Sequence, residues 1–235
     1  MLTMSTLFRY KSDMSDHTTI PDSPGKIAFH HGDLRRSLLD ATLSLIAANG
    51  VQGFTLREAA RAAGVSHNAP YRHFPSRTHL LVELAIEGQG LLLDALKNSG
   101  KRIVDPRERI VRVGMAYMDF AVKHTALFRV MFSSDVARNR TSELKAAQDA
   151  TFLHFESELR ADEQAGVIRE GAIQEHALVG WSALHGAAML ILDGVLDNTE
   201  VAAHRKPREI ARLVLESLLN GIQQPAQPEK RRSSK

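Results

Sequence analysis

Apolar residues recur at intervals of three and four along most of this 235-residue chain, which is the periodicity of an amphipathic α-helix. One face of residues 33–49 carries five of them: Leu34, Leu38, Ala41, Leu45 and Ala48. Alternation with a period of two, which would indicate β-strands, is missing. The pattern therefore predicts an all-α fold of about nine helices.

Helix start and stop signals set the predicted boundaries. Thr55 followed by Glu58 has the spacing of a capping box, and Gly50 and Gly64 predict helix ends. The predicted helices cover residues 33–49, 56–63, a short segment that begins after Ser66 and ends at Pro75, 76–97, 106–123, 125–133, 141–165, 174–197 and 207–222.

Both ends of the chain are polar and contain prolines. We expect residues 1–25 to be a disordered leader and residues 223–235 to be a disordered basic tail. Translation could start at Met1 or at Met14.

The composition excludes several kinds of site. Cysteine is absent, which rules out disulfides, thiol catalysis and Cys-based zinc sites. No apolar run is long enough for a membrane span or a secretory signal, so we expect a cytoplasmic protein without a membrane partner. His30 and His31 form no metal pattern, and common enzyme motifs are missing. We therefore predict no metal, no cofactor and no enzymatic activity.

Positive charge is concentrated near the N-terminus. The net charge is only +3, but the stretch from Asp33 to Arg77 holds six arginines and three acidic residues. A modest basic patch of this kind suits a nucleic-acid partner, although charge alone does not identify one.

Pro70 lies between two predicted helices, in the stretch GVSHNAPYRHFP. If Ser66 is an N-cap, Pro70 occupies the fourth helical position and removes one hydrogen bond at a fraying end. The stretch can then form a short helix. Ala59 and Ala60 keep the preceding helix slim, and Gly64 permits a tight turn, so the pair has the form of a helix-turn-helix that enters the DNA major groove.

The segment FTLREAARAAGVSHNAPYRHFPSRTHLL resembles the N-terminal domain of the TetR/AcrR family of transcriptional regulators. The matching features are Thr55, the Ala-rich helix, Gly64-Val65-Ser66, the Tyr71–Phe74 motif and a basic residue, Arg77, where the family often has lysine. The resemblance implies a DNA-binding domain over residues 31–91, with the helix-turn-helix at about 55–74, and a C-terminal regulatory and dimerisation domain over 92–222. The stretches HTALFRVMF and WSALHGAAMLILDG resemble a subgroup marked by a Trp…His-Gly motif.

The resemblance implies phosphate contacts by Tyr71 and His73, and Thr55 and Arg77 are further candidates beside helix N-termini.

We expect His67 and Asn68 to read bases, and Arg72 to reach bases or phosphates. The alternatives are packing for Tyr71, capping for Thr55 and simple solvation for His67, Asn68 and Arg72. Phe74 is expected in the core.

Arg35 and Arg36 could reach a phosphate or the neighbouring minor groove, or they could form a solvated face.

The resemblance also implies a ligand pocket in the C-terminal domain. Its candidate lining residues are Met115, Met118, Phe128, Met131, Phe132, Trp181, His185 and Met189. The alternative is a packed core in which His185 bonds a neighbour. No charged residue stands out in these apolar stretches, so an apolar or weakly polar effector is expected.

Apolar stripes on helices 174–197 and 207–222 predict a four-helix interface in a homodimer, with a monomer core as the competing explanation. Gly88 and Gly90 are predicted either to let the long helix bend or to mark its early end.

The expected function is a ligand-responsive repressor that binds a palindromic operator on double-stranded DNA. The alternative is a DNA-binding regulator without a small-molecule effector, either an activator or one with a protein partner.

Overall fold

The structure, a computed structural model, describes residues 31–222 apart from residues 167, 169, 201 and 203. The predicted leader, the predicted basic tail and the two possible start methionines lie outside the described residues. The described part contains nine α-helices: α1 (His31–Asn49), α2 (Leu56–Ala62), α3 (Arg77–Gly100), α4 (Pro106–Lys123), α5 (Thr125–Met131), α6 (Ser134–Arg138), α7 (Ser142–Gln164), α8 (Ile173–Leu192) and α9 (Pro207–Ile222). Two 3-10 helices cover Ala69–Arg72 and Val195–Asn198. The predicted all-α fold is confirmed.

The N-terminal helices α1 and α2 and the start of α3 pack together at one end of the hydrophobic core. Apolar side chains from all three helices and from the loops between them are buried there: Leu38, Leu39, Ile46, Phe54, Ala59, Phe74, Leu80 and Leu81. Phe74 is only 2% exposed, which confirms its predicted place in the core.

The predicted helix after Ser66 is wrong, because the segment forms a 3-10 helix that begins only at Ala69. Pro70 has no amide hydrogen, so the carbonyl of Ser66 accepts from the amide of Ala69 instead, at 2.9 Å. The carbonyl of Pro70 then accepts from the amides of both His73 and Phe74, at 2.9 and 2.8 Å. Tightening of this kind is common where a regular helix cannot start.

The long helix α3 runs without a break for 24 residues, so the predicted early end near Gly88 and Gly90 is wrong. Gly88 has a packing role that the sequence did not reveal. A Cβ atom placed on it would lie 2.6 Å from Sδ of Met131, whereas one on Gly90 would meet nothing within 4 Å. Gly88 therefore lets α5 approach α3 closely.

In the C-terminal domain, α4 packs between α3 and α9, and α7 and α8 close the bundle. Helix α6 was not predicted, because five residues are too few to show a periodicity. Helix α8 ends at Leu192 rather than at residue 197, since Gly194 adopts a φ of +69° that stops the helix. No helix among the described residues combines the length and the hydropathy that crossing a bilayer requires.

Candidate functional site

The start of α2 is fixed by a capping box. Thr55 Oγ1 accepts from the amide of Glu58 at 3.2 Å, and the Thr55 amide donates to Glu58 Oε2 at 2.8 Å. The Thr55 hydroxyl also lies 2.9 Å from Glu58 Oε2, so its hydrogen is already donated. The predicted capping role is confirmed, and a phosphate contact by Thr55 stays a prediction.

A tight turn joins α2 to the 3-10 helix. Gly64 has a φ of +71°, which favours glycine, and the amide of Val65 donates to the carbonyl of Ala60 at 3.0 Å. Ala59 and Ala60 are fully buried, so the 3-10 helix can lie close to α2. The segment that follows is thereby held on one side of the N-terminal domain.

Most of the predicted DNA-contacting side chains lie together and exposed around the 3-10 helix. They are His67, Asn68, Tyr71 and Arg72, with His73 half-buried beside them. Tyr71 is 48% exposed, so its ring and its hydroxyl are accessible to an outside partner. Within the described residues this surface, hereafter the 67–73 surface, offers imidazole, amide, phenol and guanidinium groups to an outside partner.

Arg77 is turned away from this set. Its Nη1 donates to Asp135 Oδ2 at 2.8 Å, its Nη2 donates to the carbonyl of Val51, and its guanidinium carbon lies 4.8 Å from the ring centroid of Phe54. These contacts hold the start of α3 against α6 and the α1–α2 loop. A phosphate contact by Arg77 stays a prediction. Its positioning role was missed because Asp135 is far away in the sequence.

Arg35 and Arg36 lie on the side of α1 that faces α3. Arg35 pairs with Glu83, and Arg36 pairs with both Asp40 and Glu87. The hydrogen bonds from Arg36 hold the pKa of Asp40 below its usual value. These side chains join α1 to α3, and a DNA contact by either arginine stays a prediction.

A cavity of about 330 Å³ opens among α3, α4, α7 and α8. Two of the eight predicted pocket residues, Phe132 and Trp181, line it. Its other lining residues are Gln89, Leu92, Tyr117, Arg140, Gln148, Asp149, Thr151, Phe152 and Phe155. The helical spacing of Gln148, Thr151, Phe152 and Phe155 along one face of α7 was the signal that could have found them.

The other predicted pocket residues lie elsewhere. Met118, Phe128 and Met131 are at most 1% exposed and belong to the core, and Met115 packs against that core. His185 and Met189 line a separate groove among α1, α5 and α8, together with Phe132.

His185 bonds a neighbour, as the packed-core alternative expected. Its Nδ1 lies 2.8 Å from the Tyr117 hydroxyl. Burial lowers the pKa of His185 and raises the pKa of Tyr117, so both groups are neutral near pH 7. A neutral imidazole can accept at Nδ1 while the phenol donates. This bond fixes one wall of the cavity, because Tyr117 also lines it.

The outer face of α8 and α9 is apolar. Leu178, Val179, Leu190 and Leu213 are exposed, and a shallow groove between the two helices is lined almost entirely by apolar atoms. The opposite side of α9 is buried against α4 through Ala211, Leu215 and Leu219. Helix α9 therefore buries one apolar face inside the protomer and leaves part of another exposed, and the homodimer interface stays a prediction.

Two stretches of the chain match known families. Residues 38–84 match the family described as bacterial regulatory proteins, tetR family, and residues 110–218 match the family described as Tetracyclin repressor-like, C-terminal domain. The second match does not confirm the Trp…His-Gly subgroup, which stays a prediction.

Individual relatives agree with these matches. An uncharacterized HTH-type transcriptional regulator of Haemophilus influenzae is 28% identical over 53% of this chain and 60% of its own length. The HTH-type transcriptional regulator BetI of Rhizobium meliloti is 31% identical over 64% of this chain and 65% of its own length. The chain therefore spans less than two thirds of these relatives. A solved structure of a protein of unknown function from Rhodococcus sp. RHA1 is 32% identical, with a TM-score of 0.72, and the match covers 85% of this chain and 100% of that one.

Proposed function

Because the chain belongs to the TetR family of bacterial regulatory proteins, we propose that it is a cytoplasmic transcriptional regulator that binds double-stranded DNA, and that it acts as a ligand-responsive repressor. The single observation that carries this proposal is the 67–73 surface. A capped helix, a glycine turn and a proline-tightened 3-10 helix present polar and basic side chains together on the N-terminal domain.

The chemistry of the 67–73 surface suits a DNA groove. The guanidinium of Arg72 and the phenol of Tyr71 can donate to phosphate oxygens, which positions a protein on the duplex. The amide of Asn68 can form two hydrogen bonds with adenine, and His67 can donate to guanine. Phosphate and base contacts from one small surface are what sequence-specific binding requires.

The outer face of α8 and α9 supports a homodimer. An apolar groove with small residues such as Gly186 and Ala187 allows the same two helices of a second copy to pack closely. A two-fold symmetric dimer carries two 67–73 surfaces and would bind a palindromic site whose halves are about one helical turn apart.

Helix α3 connects the two proposed activities. It begins three residues after Phe74, at the end of the helix-turn-helix, and its residues Gln89 and Leu92 line the C-terminal cavity. An effector that binds one position of α3 better than another would change the spacing of the two 67–73 surfaces. Such couplings are typically about 1–3 kcal/mol, which is a change of about 5- to 150-fold in DNA affinity.

DNase footprinting of the gene's own upstream region tests this function. We expect wild-type protein to protect a palindromic segment and Tyr71→Ala to lose that protection at the same concentration. Tyr71→Phe, which keeps the ring and removes the hydroxyl, separates phosphate contact from packing. Uniform, weak protection of all DNA by the wild-type protein would contradict specific binding.

A further inference from the structure

Aromatic rings form nearly all of the apolar wall of the cavity among α3, α4, α7 and α8, and polar side chains form the rest. Five of its lining residues are aromatic, Tyr117, Phe132, Phe152, Phe155 and Trp181, whereas Leu92 is the one aliphatic residue among those described. The rings of Phe152 and Trp181 meet nearly at right angles, with their centroids 6.4 Å apart. Rings packed edge to face hold each other in position. A further ring that packs against them is bound more strongly than its buried area alone would suggest.

The methionines predicted for the pocket are absent from the described part of these walls. Methionine side chains adapt to ligands of many shapes, so a wall without them favours ligands of one shape. A flexible alkyl chain gains little from rigid ring faces and loses more conformational freedom on binding. The walls therefore favour a rigid aromatic ligand over a fatty chain.

A buried amide supplies one polar contact. Gln89 is 3% exposed, and its Oε1 lies 3.1 Å from the Thr151 hydroxyl, which also lies 3.2 Å from the carbonyl of Ala147. No acceptor among the described residues bonds its Nε2, although the residue lines the cavity. A donor that faces a cavity can form a hydrogen bond with a ligand that presents an oxygen to it.

The mouth of the cavity carries a second donor. The guanidinium of Arg140 lies 3.6 Å from the carboxylate of Asp149, and Lys145 also pairs with Asp149. The Arg140 side chain is 45% exposed, and an exposed ion pair contributes little free energy. Arg140 can therefore leave Asp149 and turn towards a ligand at low cost.

We propose that this cavity binds a rigid aromatic compound with a carbonyl or carboxylate oxygen. The oxygen accepts a hydrogen bond from Gln89, the ring lies against Trp181 and Phe152, and Arg140 covers the mouth. This inference rests on the proposed function, because it names the chemical class of the effector. It also gives the effector a direct contact with α3 through Gln89.

Calorimetric titration of the full chain with three probes tests the ligand class. The probes are biphenyl-4-carboxylate, biphenyl-4-carboxamide and decanoate. We expect both biphenyl compounds to bind at least tenfold more tightly than decanoate. Trp181 is the single tryptophan of the chain, so its fluorescence reports occupancy of this cavity directly. Binding of the biphenyl probes should change that emission.

Substitutions of cavity residues test which side chains contact the probes. Gln89→Leu should weaken both biphenyl probes by about tenfold, the effect of losing one buried hydrogen bond. Gln164→Leu, the same change at an exposed position at the end of α7, should leave their affinity unchanged. Phe152→Leu is a second variant, at a partly exposed position, and should weaken the biphenyl probes while leaving decanoate unaffected. A carboxylate preference that Arg140→Gln removes identifies the ligand as an acid, and equal affinities identify a neutral carbonyl compound.

Three results would overturn the proposal: decanoate binding as tightly as the biphenyl probes, neither biphenyl probe binding, or both Gln89→Leu and Phe152→Leu binding like wild type. DNA binding by the same preparations separates this inference from the proposed function. Protein that binds its upstream DNA but no biphenyl probe contradicts the ligand class alone. Protein that binds the probes through Gln89 but no specific DNA contradicts the proposed function alone.

Discussion

The guanidinium of Arg77 and the carboxylate of Asp135 form an ion pair at 2.8 Å that joins the first residue of α3 to α6. Arg77 also donates to the carbonyl of Val51, so one side chain contacts the α1–α2 loop and the C-terminal domain together. The hydrogen bonds from Arg77 and from Gln52 lower the pKa of Asp135. The pair therefore links the helix-turn-helix to the C-terminal domain.

We expect Arg77→Ala to lower the free energy of unfolding by about 1–3 kcal/mol, because it removes the ion pair with the partly buried Asp135 and the hydrogen bond to the carbonyl of Val51. Urea unfolding measures this change, and Asp135→Asn should lower stability in the same direction. The salt dependence of DNA binding should be the same for Arg77→Ala and wild type. A slope reduced by about one would instead support the phosphate contact predicted from the sequence.

The two glycines inside α3 should respond in opposite ways to the same substitution. Gly88→Ala places a methyl group against the buried Met131 and should destabilise the protein by about 1–2 kcal/mol. Gly90→Ala meets open space and should stabilise it by up to about 1 kcal/mol through helix propensity. Thermal unfolding of both variants checks this. Equal effects at the two positions would contradict the packing role of Gly88.

Local signals in the sequence predicted most helix ends, whereas contacts between distant residues could not be predicted. The capping box at Thr55 and the start of α4 at Pro106 depend on neighbours within a few residues. The partner of Arg77 lies 58 positions away, and that of Gln89 lies 62 positions away. Pro70 shows that a local signal can also be misread. Its missing amide hydrogen makes the segment a 3-10 helix rather than the predicted helix after Ser66.

Asp162 should make stability depend on pH. It is fully buried, neither carboxylate oxygen has a hydrogen-bond partner within the described residues, and burial raises its pKa to about 6. Because the folded state holds this proton more tightly than the unfolded chain, the free energy of unfolding falls as pH rises from about 4 to about 6. At pH values above that range, the whole destabilising effect of the ionised Asp162 is present.

Asp162→Asn removes this titration. Relative to wild type, it should be more stable by up to about 3 kcal/mol at pH 8, and the difference should shrink towards pH 4. Urea unfolding at both pH values measures it. Asp94→Asn, at an exposed position on α3, is the control and should leave the pH dependence of stability unchanged. A difference between Asp162→Asn and wild type that is the same at both pH values would contradict this assignment.

The outer face of α8 and α9 should be needed for dimerisation. Leu213→Glu places a charge in the groove of this face and should shift the protein towards monomer by at least tenfold in dissociation constant, because an unpaired charge would be buried. Leu153→Glu, at a 60% exposed position on α7, is the matched control. Sedimentation velocity over a range of concentrations measures both. Equal dissociation constants for the two variants would place the interface elsewhere.

The most direct test of the account is fluorescence anisotropy with the gene's upstream DNA at several salt concentrations, for wild type, Arg72→Ala and Arg160→Ala. Arg72 lies on the 67–73 surface, and Arg160 is an exposed arginine on α7. We predict that Arg72→Ala weakens binding by about tenfold and lowers the salt slope by about one, while Arg160→Ala binds like wild type. If both variants bind as wild type does, the 67–73 surface is not the DNA-binding surface.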